Sequence, residues 1–318
     1  MAVTSVLIDG LRRAVPNPSQ VEIVLIGSRK LVELYGGDPC IRIRETSYDR
    51  AGKMIDRLTS WFGVVDAVSD EVSGLGEGEF VVIDPDSRLT QLGMLPVLPP
   101  TVESQHYFFF PSRVFRSPGC TSLGQIAATW IGEEESRSFL ALPKPHLETG
   151  LRIAAWLHVL GARRITTISL GVGGNTEKSA GAEFETSLLH RMSRKGWVVL
   201  DRGIGAGERQ QVERAVGPLK SAGIPVLEAS EEDDLSGKRF SLPQQVKNGV
   251  LMWQGGIGSL AGIISQSNRY IGYDSSGQHL AAALGVPAVT IFISGNPPVF
   301  ADRWAPFNRR SRVIRMMR

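Results

Sequence analysis

Cysteine is nearly absent. Cys40 and Cys120 are the only two in 318 residues, far apart and outside any C-x-x-C spacing, so neither a disulfide framework nor a zinc site is expected. Both read as buried thiols. No run approaches the ~20 consecutive apolar residues that would cross a bilayer, and the start of the chain lacks the basic residues and apolar core of a secretory signal. A cytoplasmic protein is therefore expected. No Gly/Ser or Pro tract is long enough to mark a disordered tail, and 42% hydrophobic with 21% charged residues is the composition of a chain folded throughout. Nor is either charge in excess. A net charge of +3, with no helix carrying a basic stripe and interleaved aromatics, argues against nucleic acid as a partner. No Asp/Glu/His group has metal-site spacing, and no cofactor is expected. The local exception is the end of the chain, where Arg309, Arg310, Arg312, Arg315 and Arg318 crowd together. This cluster reads first as a solvated strand edge; an anionic membrane surface or a phosphorylated acceptor is the alternative.

What is present points to two α/β domains. The length exceeds that at which one core usually stops growing, and helix-period and strand-like segments alternate throughout. In the first part, Thr4 is placed to cap a helix over 5–14. Strands are expected at 21–27, 41–44, 80–83 and 107–110, and helices at 49–62 and 122–130. The Pro-Lys-Pro sequence at 143–145 interrupts the pattern, giving domains 1–142 and 143–318. The second is read as doubly wound: strands at 165–170, 198–201, 224–228, 250–253, 270–273 and 288–293, separated by helices. In such sheets ligands bind beyond the carboxyl ends of the strands.

The strongest local signal follows the strand at 270–273. There Asp274-Ser275-Ser276-Gly277-Gln278-His279 leads straight into an Ala-rich helix and then Gly285-Val-Pro287. Unpaired N–H groups and the positive end of the helix dipole converge on small polar residues, which makes an anion site. The Ser hydroxyls add donors, and His279 offers another donor or a charge. The plainer reading is a helix cap at Asp274 or Ser275 with a packed histidine. A second glycine-containing loop, Gly171-Val-Gly173-Gly174-Asn175-Thr176-Glu177-Lys178, follows the strand at 165–170. With Asp201 ending the next strand it sketches a dinucleotide fingerprint, but Thr176 stands where the third glycine belongs. Two further loops lie at the same edge: Asp201 to Glu208, which may be read as a plain turn, and Gln254-Gly255-Gly256-Ile257-Gly258-Ser259, whose N–H groups are placed to flank a nucleotide.

Asp-Ser-x-x-x-His-Leu-Ala-Ala-Ala-x-Gly-x-Pro resembles the donor-site signature of glycosyltransferase family 9, which includes the ADP-heptose transferases of lipopolysaccharide core assembly. That family usually has Gly directly after Asp-Ser/Thr; here Ser276 holds that place and Gly277 follows it. The family also places a lysine after the first glycine loop of this domain, reaching the donor phosphates, and Lys178 matches it; the plainer reading is a solvated lysine. Arg303-Trp304-x-Pro306 resembles a further family feature. The likeness covers most of 160–308 well and the first half weakly.

The resemblance implies a GT-B arrangement, two Rossmann-like doubly wound domains facing across a cleft. The donor would be a nucleotide-diphosphate sugar, with a heptose as one candidate sugar, held by Gly173, Lys178, Gly255, Ser259, Asp274, Ser275, Ser276, Gly277 and His279. The acceptor would be a glycan or lipopolysaccharide-type glycolipid, with peripheral contact to the inner membrane surface, and transfer would invert the anomeric centre without a metal. The family's catalytic base follows its first strand; this chain opens at the first helix, so an upstream strand ending in an acid is expected. Within the chain, Asp84 and Asp86 are weak candidates for the base, a turn role in Asp-Pro-Asp being the stronger reading. A nucleotide-sugar-binding protein impaired in catalysis is the alternative function.

Overall fold

The computed structural model describes residues 2–17, 20–47, 53–76, 78–85, 97–100, 102–112, 119–173, 175–233, 246–293 and 298–317. The second half is built on one sheet, with strands β5 (Ile165–Ser169), β6 (Trp197–Asp201), β7 (Val226–Ser230), β8 (Gly249–Gln254), β9 (Arg269–Tyr273), β10 (Ala288–Ile293) and β11 (Arg312–Met316). Their order is β11-β10-β9-β5-β6-β8-β7 and every pair is parallel. Helices cover both faces, so the central strands read as continuous apolar runs rather than alternating ones. Trp197, Val199, Leu251 and Trp253 face one helical layer, while Val198, Leu200, Val250 and Met252 face the other. All eight are fully buried.

The first layer contains α5 (Lys144–Val159) and α8 (Ile257–Ser265); the second contains α6 (Ala182–Ser193) and α7 (Ala206–Ser221). In the first half lie α1 (Thr4–Ala14), α2 (Lys30–Tyr35), α3 (Met54–Val72) and α4 (Leu123–Trp130). Its strands form two separate parallel pairs among the described residues: β1 (Ile23–Gly27) with β2 (Ile41–Glu45), and β3 (Val82–Asp84) with β4 (Tyr107–Phe109). The first apolar cluster crosses between the halves, joining Leu25, Leu34, Tyr35 and Ile41 to Leu260, Ile263 and Ile264.

Several expectations need correction. Thr4 is the first helical residue rather than the cap, which falls at Val3 without a side-chain bond. The helix expected at 49–62 runs through Gly63 to Val72, because Val64, Val65 and Val68 keep an apolar face buried beyond it. Proline at 145 does not break the chain. Pro143 is the N-cap of α5 and Pro145 lies in its first turn, where a missing N–H costs nothing. Cys40 is exposed in the turn before β2, and Cys120 is half-buried with Sγ 3.4 Å from Thr129 Oγ1. Of the final arginines, Arg312 and Arg315 lie on an edge strand, β11, Arg309 and Arg310 precede it, and Arg318 lies outside the described residues.

Helices α5 and α8 meet through glycine. A Cβ on Gly150 would strike the Gly262 carbonyl, and one on Gly262 would strike the His146 carbonyl. Since neither backbone can yield without moving a helix, Gly262→Ala should destabilise the fold by about 1–3 kcal/mol. The sign is diagnostic, because Gly→Ala in an unobstructed helix stabilises by up to about 1 kcal/mol. Urea denaturation reads it; a midpoint unchanged or raised would contradict the close crossing.

Candidate functional site

Chain direction changes at β5. From it the sheet grows one way through β6 and the other way through β9, so the loops after β5 and β9 diverge and open a crevice at their carboxyl ends. Lys178 and Asp274 stand on its two sides.

Lys178 is delivered by a short 3-10 turn, Thr176–Lys178, whose cap Asn175 accepts a bond from the Glu177 N–H at 3.0 Å. The ammonium reaches across the crevice to Asp274 Oδ2 at 2.6 Å and lies 5.6 Å from the centre of the Phe300 ring. Asp274 Oδ1 accepts from Gln278 Nε2 at 2.9 Å, so both carboxylate oxygens are engaged. The solvated-lysine reading therefore gives way to a largely covered ion pair, with side-chain exposures of 26% and 10%.

Beyond Asp274 the chain enters α9 (Ser276–Ala283), with Ser275 as its N-cap making no side-chain cap bond. Ser276 is exposed at the helix start, and the first-turn N–H groups of such a helix have no intrahelical acceptor. Gly277 is explained by packing: a Cβ there would collide with the hydroxyl of Tyr270, which is fully buried beneath the turn. Ser169, Ser275 and Asp201 surround that hydroxyl, and burial raises its pKa.

His279 packs near Trp304, ring centroids 6.4 Å apart, and Trp304 in turn meets Phe300 at 6.2 Å. Phe300 and Trp304 belong to or directly follow α10 (Pro298–Arg303), so the Arg303-Trp304-x-Pro306 feature does come to this site. Burial holds the His279 imidazole well below its usual range, at a pKa of about 3. The ring is neutral at physiological pH. A neutral ring can still donate a hydrogen bond, one of the two roles expected of it.

The second loop at this edge behaves differently. Gly256 N–H donates to Glu231 Oε2 at 2.9 Å and Gly258 N–H to Glu33 Oε2 at 2.9 Å, so two carboxylates already fill the amino end of α8. Ser259 is fully buried, its hydroxyl 3.2 Å from Glu231 Oε2 and 3.0 Å from the Gly256 carbonyl. A Cβ on Gly255 would meet Ser259 Oγ and Trp253 Nε1. Ser259 thus serves the protein's own Glu231 in this structure, and Gly255 makes room for the Ser259 hydroxyl and the Trp253 ring. Gly173 is exposed with φ of +61°, and Gly174 lies outside the described residues.

The dinucleotide alternative meets two obstacles. Among the described residues, only the short 3-10 turn at Thr176–Lys178 follows Gly173 before α6 starts at Ala182. The Asp201 carboxylate is also occupied, accepting from Gly203 N–H and Ser169 Oγ, both at 3.0 Å, and burial raises its pKa. The turn at 201–208 is tied by Glu208, whose Oε2 accepts from the Ile204 and Gly205 N–H groups. Asp84, in the first half, is buried and accepts from the Tyr107 hydroxyl at 2.9 Å; Asp86 lies outside the described residues.

One important residue escaped the sequence reading. Glu185, 1% exposed in the first turn of α6, receives Ser179 Oγ at 2.7 Å, Gln211 Nε2 at 2.7 Å and the Tyr273 hydroxyl at 2.9 Å on a single oxygen. The same Tyr273 oxygen accepts the Ala180 N–H at 3.0 Å. A buried carboxylate is tolerated only when so bonded, and this node pins the segment directly after Lys178. Its position near a helix start, where the dipole favours an acid, was the available signal.

The fold is that of solved glycosyltransferases. The chain aligns over 99% of its length with a glycosyl transferase family 9 protein from Veillonella parvula, at a TM-score of 0.64, 16% identity and 82% coverage of that chain. It aligns over 99% with Escherichia coli ADP-heptose lps heptosyltransferase II, at a TM-score of 0.56, 13% identity and 87% coverage. It likewise aligns over 99% with E. coli heptosyltransferase WaaC solved with ADP, at a TM-score of 0.56, 11% identity and 90% coverage. No family model and no curated protein matches the sequence. Likeness at these identities establishes the architecture, and the chain has the GT-B fold.

The neutral state of His279 is measurable. With a folded pKa of about 3 against 6.5 for the free side chain, the unfolded chain takes up a proton that the folded chain does not between those values. The stability contributed by this group is complete above pH ~6.5 and is lost as pH falls toward ~3. Imidazole NMR should show His279 failing to titrate between pH ~8 and ~5. A midpoint near 6.5 would place the ring in solvent.

Proposed function

We propose that this chain is a glycosyltransferase that moves a sugar from a nucleotide-diphosphate donor, held by residues 143–318, to a glycan or glycolipid acceptor facing residues 1–142. The observation that carries this reading is the pairing of Lys178 with Asp274, directly before the amino end of α9, across the crevice where strand order reverses. Solved proteins of this fold include one with ADP and one with ADP-2-deoxy-2-fluoro heptose, which supports a donor of that class.

In the proposed reaction an acceptor oxygen attacks the anomeric carbon from the face opposite the diphosphate, and the bond from that carbon to the phosphate oxygen breaks. The configuration inverts, and the acceptor proton passes to a base that the described residues leave unassigned. Charge then grows on the departing diphosphate. Lys178 and the Ser276 and Gly277 N–H groups are the donors aimed at it, with the Ser275 and Ser276 hydroxyls beside them. No metal and no cofactor is required for this step. Because Lys178 is held by Asp274, a phosphate must displace a carboxylate to reach it, and binding reports the difference between two anions. The second reading, donor binding without turnover, is favoured by the engagement of Asp84 with Tyr107. Donor hydrolysis or transfer by the full chain separates the two.

Calorimetry with ADP, UDP and GDP tests the site. Lys178→Ala should weaken the nucleoside diphosphate that binds by about 1.5–3 kcal/mol, roughly 10- to 150-fold. Since that change also strands Asp274, some stability should be lost with it. A Lys178→Ala/Asp274→Ala double variant should recover stability while binding stays weak. Unchanged affinity in both variants would remove Lys178 from the site, and tight NADH binding with none for nucleotide sugars would overturn the reading.

A further inference from the structure

Because the seven strands are parallel, their amino ends share the edge opposite the crevice. The segments that feed that edge are strongly basic. Arg163 and Arg164 precede β5, Arg194 and Lys195 precede β6, and Lys247 precedes β8. Arg269 opens β9, and Arg309, Arg310 and Arg312 bring the chain into β11. The residues immediately before the strands, 160–164, 194–196, 222–225, 246–248, 266–268, 284–287 and 304–311, include no Asp or Glu.

These cations are all exposed, and among the described residues none is paired with a carboxylate. Some cations elsewhere are matched: Arg202 and Lys220 share Glu213 and Glu228, and Arg315 meets Asp302. With a whole-chain net charge of only +3, so many cations at one edge leave the remainder net negative. Helix carboxyl ends also lie at this edge and favour cations, and Arg310 does bond the Gly285 carbonyl at 3.2 Å. That accounts for one contact; it does not explain why carboxylates are missing from every feeding segment.

We propose that this edge is a docking surface for an anionic lipid bilayer. The cations come from separate segments spread along one sheet edge, which suits a flat sheet of phosphates. Arg163, Arg194, Lys195 and Lys247 line a depression of about 200 Å³ able to seat a headgroup phosphate. Two apolar side chains stand among them: Val159, 85% exposed just before Arg163, and Val313, 37% exposed just after Arg312. A basic surface with scattered apolar contacts is the pattern of peripheral attachment. Single-stranded nucleic acid would call for exposed aromatic platforms, whereas Trp304 and Phe307, the aromatic residues in these segments, are partly buried. A second copy would bring like charges together. Docked this way, the protein would hold its crevice away from the lipid by at least the length of a strand, roughly 17–20 Å. The proposal stands independently of what the crevice binds.

The test is co-sedimentation of the full chain with vesicles of phosphatidylcholine alone and of phosphatidylcholine and phosphatidylglycerol in equal parts, at low and high salt. The chain should partition onto the anionic vesicles only, and salt should release it. Removing cations should weaken partition by about fivefold each, so Arg194→Gln/Lys195→Gln/Lys247→Gln should lose on the order of a hundredfold. Arg309→Gln/Arg312→Gln, on a separate segment, should act in the same direction. Arg209→Gln/Arg214→Gln on the flank of α7 should change little. All these side chains are exposed, and relief of repulsion should leave the thermal midpoint of the edge variants level or slightly raised. Equal binding to neutral vesicles, undiminished binding in the edge variants, equal loss in the flank variant, or tighter binding of a DNA duplex than of anionic vesicles would each overturn the proposal.

Discussion

A strand that must return parallel to its neighbour has to cross back over the sheet before it can pair. Every connection in the second half obeys this, and the consequence is a molecule with two unlike ends. Loops that leave strands gather at one edge and segments that enter strands gather at the other. The crevice residues and the unmatched arginines are separated by the sheet itself, whose length along the strands keeps the two ends apart. Chemistry at either edge can vary without disturbing the apolar layers between them.

Within the crevice edge, two helices begin side by side but have different electrostatic fates. The amino end of α8 is satisfied by Glu231 and Glu33. That of α9 is left with its small residues facing outward, while the adjacent acid, Asp274, turns toward Lys178 instead of the helix N–H groups. A positive helix end attracts whichever anion lies nearest. Here the protein provides its own anion in one place and withholds it in the other, and this difference, invisible in two similar glycine-serine loops, is what supports the proposal of a ligand phosphate at the α9 turn.

Much of this was legible in the chain because the signals were local. Buried parallel strands appear as short apolar runs, and the turn 274–279 announces itself by a polar cluster between such a run and an Ala-rich helix. What escaped depended on residues distant in sequence. Glu185 looks like an ordinary helix-surface acid until Ser179, Gln211 and Tyr273 are brought to it. The helix α2 is too short for periodicity to declare it, yet it delivers Glu33. Gly277 belongs to the expected donor loop, and only the structure shows that its missing side chain makes room for Tyr270. The burial that fixes His279 neutral likewise comes from packing, not from its neighbours in the motif.

Glu33 sits in the first half of the chain while the N–H it receives belongs to the second, 225 residues away. A helix cap is ordinarily a local matter, closed by a residue adjoining its own helix. Here it works as a fastener across the molecule. Any hinge motion that parts the halves strips α8 of one of its two capping carboxylates, Glu231 remaining, and any strain that frays α8 loosens the grip between the halves. The loss is limited to about the value of one charge-assisted bond, since water can replace the carboxylate. Such a fastener resists opening without forbidding it, and it returns the halves to one defined relative pose each time it closes.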